Sequence, residues 1–229
     1  MIKSISKYKI ATASAILFHF FGIIGMLFWD KNLFIQATPL NLLLMFILLI
    51  WTQEDKGSSF IFFVVIAVGI GFMAEVTGIN TGLLFGNYTY GKALGTKFLQ
   101  VPLIIGINWF VIIYCSGISI QTLLNKLVKG VSVQNQKLSV TLKVFSVIID
   151  GAILATLFDW FMEPIAIKLG FWHWNEDGGI PMYNYLCWFI ISAVLLAAFQ
   201  YFNFRKQNKF AINLLLIQVM FFLLLRTLL

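Results

Sequence analysis

Residues 60–77 read FIFFVVIAVGIGFMAEVT, eighteen residues with a single charge, Glu75. The run is too long and too uniformly apolar for a strand or an amphipathic surface helix, and it matches the length of a membrane-spanning helix. Outward from it, comparable runs occupy residues 10–29, 38–52, 98–124, 139–160, 184–204 and 210–228. Seven spans are predicted, with six to eight compatible with the pattern. The run at 38–52 is short enough to be tilted, re-entrant or extended into Asn32–Gln36. The expected fold is an all-α polytopic transmembrane helix bundle, one integral membrane domain over residues 1–229.

Composition agrees. Of 229 residues, 60% are hydrophobic and 11% charged, against about 45–50% and about 25% in soluble domains. Mean hydropathy is +0.92. These values exclude a soluble enzyme, a disordered chain and a disulfide scaffold. Seven spans of about 20 residues leave too little chain for a soluble domain. The net charge of +7 lies between apolar runs, so it reads as orientation signal and anionic-lipid contact, with no nucleic-acid partner. Cys115 and Cys187 lie in apolar stretches and read as buried thiols.

Lys3, Lys7 and Lys9 precede the first run, and no small-residue cleavage site follows it, which predicts an uncleaved first helix. With the N-terminus in the cytoplasm, eleven Lys and Arg residues fall inside (Lys3, Lys7, Lys9, Lys56, Lys126, Lys129, Lys137, Lys143, Arg205, Lys206, Lys209). Five fall outside (Lys31, Lys92, Lys97, Lys168, Arg226). Positive charge favours the cytoplasmic side, so the chain is expected to be N-in, in a bacterial inner membrane. The unusual loops, 78–100 and 161–183, then emerge on one side.

Ionisable groups within spans are costly and mark function. Asp30, Glu54, Asp55, Glu176 and Asp177 fall in loops or at span ends. Glu75, Asp150, Asp159 and Glu163 fall within spans or at their ends. Ala67, Gly71 and Glu75 recur every four residues, as do Gly151, Ala155, Asp159 and Glu163. Each series shares a helix face on which small residues permit close packing, so the fold is expected to bring the acidic ends together. Asp150, nine residues before Asp159, faces another neighbour or a polar cavity. Pro164 predicts a kink or helix end. After Glu75 and after Glu163, Gly- and aromatic-rich loops lead to helices carrying Asn108 and Trp109, and Asn184 and Trp188. The parallel reads first as interfacial aromatics and turns, and second as a faint duplication.

Gly69-x-Gly71-x-x-Ala74 matches a dinucleotide fingerprint by letter but has no βαβ context. His19 and His173 are too few for a di-iron centre. No metal and no cofactor is expected. The remaining groups suit acid/base chemistry on an apolar substrate, with aromatic faces able to stabilise a cation.

Three runs carry a family resemblance: AEVTGINTGLLFGNYTYGKALG (74–95), VPLIIGINWFVIIY (101–114) and LFDWFMEPIAIKLGFWHWNEDGGIPMYNYLCWF (157–189). Together they resemble the integral-membrane carotenoid biosynthesis family that includes carotenoid 1′,2′-hydratases and bisanhydrobacterioruberin hydratases. The resemblance implies hydration of the terminal double bond of an acyclic carotenoid ψ-end, of γ-carotene or lycopene type, with a C50 substrate second. It implies a carotenoid substrate, a lipid environment and neighbouring carotenoid biosynthesis enzymes as partners. In that chemistry Asp159 or Glu163 is the acid, and Glu75 or the other member positions water. Trp160, Trp172 and Tyr88 are candidate cation stabilisers. Asn108, Asn184 and Tyr90 are candidate water or carboxyl partners, and Trp109 and His173 complete the substrate-contacting set. The competing readings are a carotenoid end-group cyclase, which starts with the same protonation, and a small proton-coupled transporter.

Overall fold

The structure, a computed structural model, describes residues 6–128, 136–175 and 179–229. Lys3, Lys129, Glu176 and Asp177 lie outside the described residues, as does the side chain of Lys137. The chain is an all-α membrane helix bundle. Among the described residues six helices are long and apolar enough to span a bilayer: α1 (Lys7–Phe28), α4 (Ser58–Thr81), α5 (Ile104–Val128), α6 (Gln136–Lys168), α7 (Met182–Tyr201) and α8 (Lys209–Leu228). Between α1 and α4 lie a one-turn-and-a-half helix, α2 (Lys31–Gln36), and a shorter apolar helix, α3 (Thr38–Thr52). The seventh expected span is therefore this pair. Asp30 interrupts the apolar run by capping α2, its Oδ1 accepting from the backbone N of Leu33 at 3.0 Å.

Helix α5 is the axis. Across its spanning stretch 78% of residues are buried, against 22–39% for the other five long helices, and α3, α4, α6, α7 and α8 pack around it. The close approach of α4 depends on Gly71, where a Cβ would lie 2.4 Å from the Cβ of Trp109. The two small-residue series are buried as expected, placing Glu75 and the Asp159–Glu163 pair inside the bundle.

Helix α6 does not end at Pro164. It continues to Lys168, with the proline inside it. Consecutive helical residues are about 100° apart, and of the two residues flanking Asp159, Phe158 turns inward and Trp160 outward. Trp160 is 45% exposed, with the guanidinium of Arg226 5.1 Å from its ring centroid. Asp150 is also exposed, on the outside of the bundle, so of its two expected surroundings, another neighbour or a polar cavity, the cavity is not found.

Four short strands lie at the end of the bundle where α4 and α6 finish. β1 (Tyr88–Tyr90) pairs antiparallel with β4 (Trp172–Trp174), in the register Tyr88↔Trp174, Thr89↔His173, Tyr90↔Trp172. β2 (Lys97–Phe98) and β3 (Val101–Pro102) form a second antiparallel pair. The loop after Glu75 and the loop after Glu163 thus meet strand to strand. Gly91 makes the meeting possible. Its N donates to the Phe171 carbonyl at 2.8 Å, and a Cβ on it would lie 2.1 Å from the Gly170 carbonyl oxygen.

Candidate active site

Strand alternation builds the site. Side chains at i and i+2 share a face, so Tyr88 and Tyr90 of β1 and Trp172 and Trp174 of β4 all turn toward the helix ends. There they meet the acids. Glu75 Oε2 accepts from the Tyr88 hydroxyl and from the Tyr90 hydroxyl, the latter at 2.7 Å, and Glu75 Oε1 accepts from Trp109 Nε1 at 2.9 Å. Glu163 Oε1 accepts from Trp172 Nε1 at 2.8 Å and from Trp174 Nε1 at 2.9 Å. Asp159 Oδ2 accepts from Asn184 Nδ2 at 3.1 Å. The other oxygen, Asp159 Oδ1, is buried and receives no hydrogen bond from the described residues.

These three carboxyls, with Asn108 and Asn184, line one cavity of ≈ 20 Å³. That is room for about one water molecule. Phe85, Ile105, Met162 and Trp188 complete the wall together with the four strand aromatics. Among the described residues no Lys, Arg or His lines it, so three ionised carboxylates would face one another without a counter-charge. The donors are phenols and indoles, which carry no charge. Burial, and then the adjacent Glu75 carboxyl, push the Tyr88 and Tyr90 hydroxyls far above the usual phenol range, so both remain donors. Trp109 does double duty: its Nε1 serves Glu75 while its ring stacks on Trp188 with centroids 3.9 Å apart.

Of the residues expected from the sequence, Glu75, Asp159, Glu163, Tyr88, Tyr90, Asn108, Trp172 and Asn184 line the cavity, and Trp109 braces it through Glu75. Two do not belong. Trp160 faces out of the bundle, as described above. His173 sits on the opposite strand face from its two Trp neighbours, exposed, with a ring nitrogen 2.7 Å from Thr89 Oγ1. Trp174 joins the cavity wall without having been expected from the sequence, because W-x-W puts it beside Trp172 only where residues 172–174 are extended, as the pairing with β1 shows. Trp188 was visible in the sequence beside Asn184, while Phe85, Ile105 and Met162 have no comparable local signal. Among the described residues no group of three or more His, Cys, Asp or Glu side chains is placed to hold a metal ion.

A bisanhydrobacterioruberin hydratase from Haloarcula japonica is 28% identical over 132 residues, covering 56% of this chain and 40% of that protein. The chain thus aligns with about two fifths of that relative's length. No solved structure matches. The family described as carotenoid biosynthesis protein matches residues 36–229, which include every cavity residue, and the chain therefore belongs to that integral-membrane carotenoid biosynthesis family.

Proposed function

We propose that this chain, acting as one integral membrane unit, is a carotenoid 1′,2′-hydratase that adds water to the terminal double bond of an acyclic ψ-end, of γ-carotene or lycopene type. The observation that carries the reading is the water-sized cavity ringed by three carboxyls, with one carboxyl oxygen, Asp159 Oδ1, lacking a donor. Family membership and the hydratase relative support it.

Hydrogen-bond supply divides the roles. Glu75 accepts three bonds and Glu163 two, all compatible with carboxylates. Asp159 accepts one, and a proton on its other oxygen, donated to the neighbouring Glu163 carboxyl, removes the deficit. Asp159 is therefore the acid. Its proton forms a C–H bond at the less substituted alkene carbon, using the π pair. The positive charge falls on the carbon bearing two methyl groups, facing the rings of Trp172, Tyr88 and Trp188. Water held by Glu163 forms the C–O bond, and its surplus proton passes to Glu163 and on to Asp159, one helical turn away. The sum is addition of one water, with the catalyst restored. Glu75, served by three donors, fixes Tyr88, Tyr90 and Trp109 as a wall and is a positioning residue. An isoprene end needs more room than one water, and Met162, an unbranched and adaptable side chain, is the wall that yields. The orientation with the N-terminus in the cytoplasm puts this chemistry at the far leaflet.

Expression in a host accumulating lycopene or γ-carotene, followed by pigment mass analysis, tests the reading. A product heavier by one water is expected. An isomer of unchanged mass would indicate cyclisation, and an unchanged pigment profile with well-expressed protein would sink the proposal.

A further inference from the structure

A second cavity, of ≈ 380 Å³, opens between α1, α3 and α8. It is of the size of small-molecule sites and far larger than the acid cavity. Its rim residues Leu17, Phe18, Phe21 and Leu40 are exposed, so it opens sideways toward lipid. Its interior is not uniformly apolar. His19 and Gln218, each 5% exposed, line it. His19 Nδ1 lies 2.7 Å from the Ala15 carbonyl oxygen. A carbonyl only accepts, so Nδ1 carries the proton and Nε2 is left as an acceptor. Gln218 Oε1 and Asn41 Oδ1, the latter from a third residue of the wall, are buried without partners. An imidazole acceptor and two amides whose oxygens have no partner, in the wall of a hydrocarbon-lined cleft, suit a long apolar ligand bearing a hydroxyl, which donates one hydrogen bond and accepts others.

The position is informative too. Leu169 and Phe171 line this cleft, while the next residue, Trp172, lines the acid cavity. A hydrocarbon substrate has no hydrogen bond to offer these side chains, whereas a hydrated end has one to give and lone pairs to accept with. We propose that the α1–α3–α8 cleft is an isoprenoid-alcohol site that holds the hydroxylated end of the polyene after it leaves the carboxyl cavity. The inference rests on the hydratase reading for its role in turnover, but alcohol binding is measurable apart from turnover.

The test uses the full-length protein in phospholipid nanodiscs, with 1-hydroxy-1,2-dihydrolycopene and lycopene as probes and retained pigment measured by absorbance. Asp159→Asn as background prevents conversion. The alcohol should be retained about tenfold more strongly than the hydrocarbon. Gln218→Leu and His19→Phe should each erase that preference while leaving lycopene retention unchanged. Gly22→Leu, at a position whose Cβ has only ordinary contacts at 3.6 Å and beyond, should fill the cleft and lower alcohol retention even if a polar-site variant fails to fold. Equal retention of alcohol and hydrocarbon, a preference that survives Gln218→Leu and His19→Phe, or co-purified phospholipid that neither pigment displaces would each overturn the inference. Failure of hydration with alcohol preference intact would instead count against the hydratase reading alone.

Discussion

The bundle carries a polar cluster at each end, and they are built on opposite rules. At the end where α3 finishes and α8 begins, every partner is matched. Gln53 donates to the carbonyls of Asp55 at 3.0 Å and Arg205 at 2.9 Å and accepts from the Tyr114 hydroxyl at 2.6 Å. Asn208 donates to Thr52 Oγ1 at 3.0 Å and to the Tyr114 oxygen at 3.2 Å, while its own Oδ1 caps α8. Nothing buried in this cluster is ionisable in the ordinary range, and its one ion pair, Glu54 with Arg205, lies at the surface. At the other end three carboxyls crowd one water-sized cavity without a cation, and one oxygen is left over. A satisfied neutral network ties helices together. An unsatisfied acidic one is costly to keep and so points to chemistry.

Substitutions should separate the two ends. The largest effect is expected from Asp159→Asn, which keeps the shape and removes the proton donor. Turnover should fall by about 10²–10⁴-fold, with the thermal transition of the purified protein nearly unchanged. Normal yield of hydrated pigment would break the assignment. Gly91→Ala comes next, because its Cβ would collide with the Gly170 carbonyl and force β1 from β4. Misplacement by about 1 Å can cost on the order of 10²-fold in rate, so activity should drop more than tenfold together with a lowered melting temperature.

Asn208→Ala tests the opposite end. Orphaning buried partners costs about 1–3 kcal/mol each. Melting temperature should fall clearly while turnover per folded molecule is kept. A selective loss of turnover would erase the division between the ends. The smallest effect belongs to Glu54. The Tyr8 hydroxyl, and to a lesser degree Arg205, hold its carboxyl below the ordinary value of 4.5. A lowered folded-state value means the pair adds stability above that ordinary value, and loses it as pH falls through the lowered one. Glu54→Gln should therefore shift the melting temperature slightly at neutral pH and not at all in acid, and exposure keeps the shift small.

Several features were readable along the chain because they depend on neighbours in sequence. Hydrophobic runs predict spans wherever backbone groups must be satisfied within one segment. Four-residue spacing put Glu75 behind Ala67 and Gly71, and Asp159 and Glu163 behind Gly151 and Ala155, and those faces are the buried ones. Helical period alone does not place Trp160: of the two residues flanking Asp159, Phe158 is buried and Trp160 exposed, a difference decided by the neighbouring helices. His173 lies away from its Trp neighbours because residues 172–174 are extended and alternation sends it to the opposite strand face, which the sequence spacing does not show.

Composition and periodicity alone determined that this is a helical membrane protein with a few buried acids, because burial in lipid penalises charge residue by residue. Only the tertiary structure decided which donors meet those acids. The β1–β4 pairing joins residues 84 positions apart, such as Thr89 and His173, and Trp109 reaches Glu75 from another helix. Hydrogen-bond supply, and with it the inequality between Asp159 and its two neighbours, is set by distance in space, which no local spacing encodes.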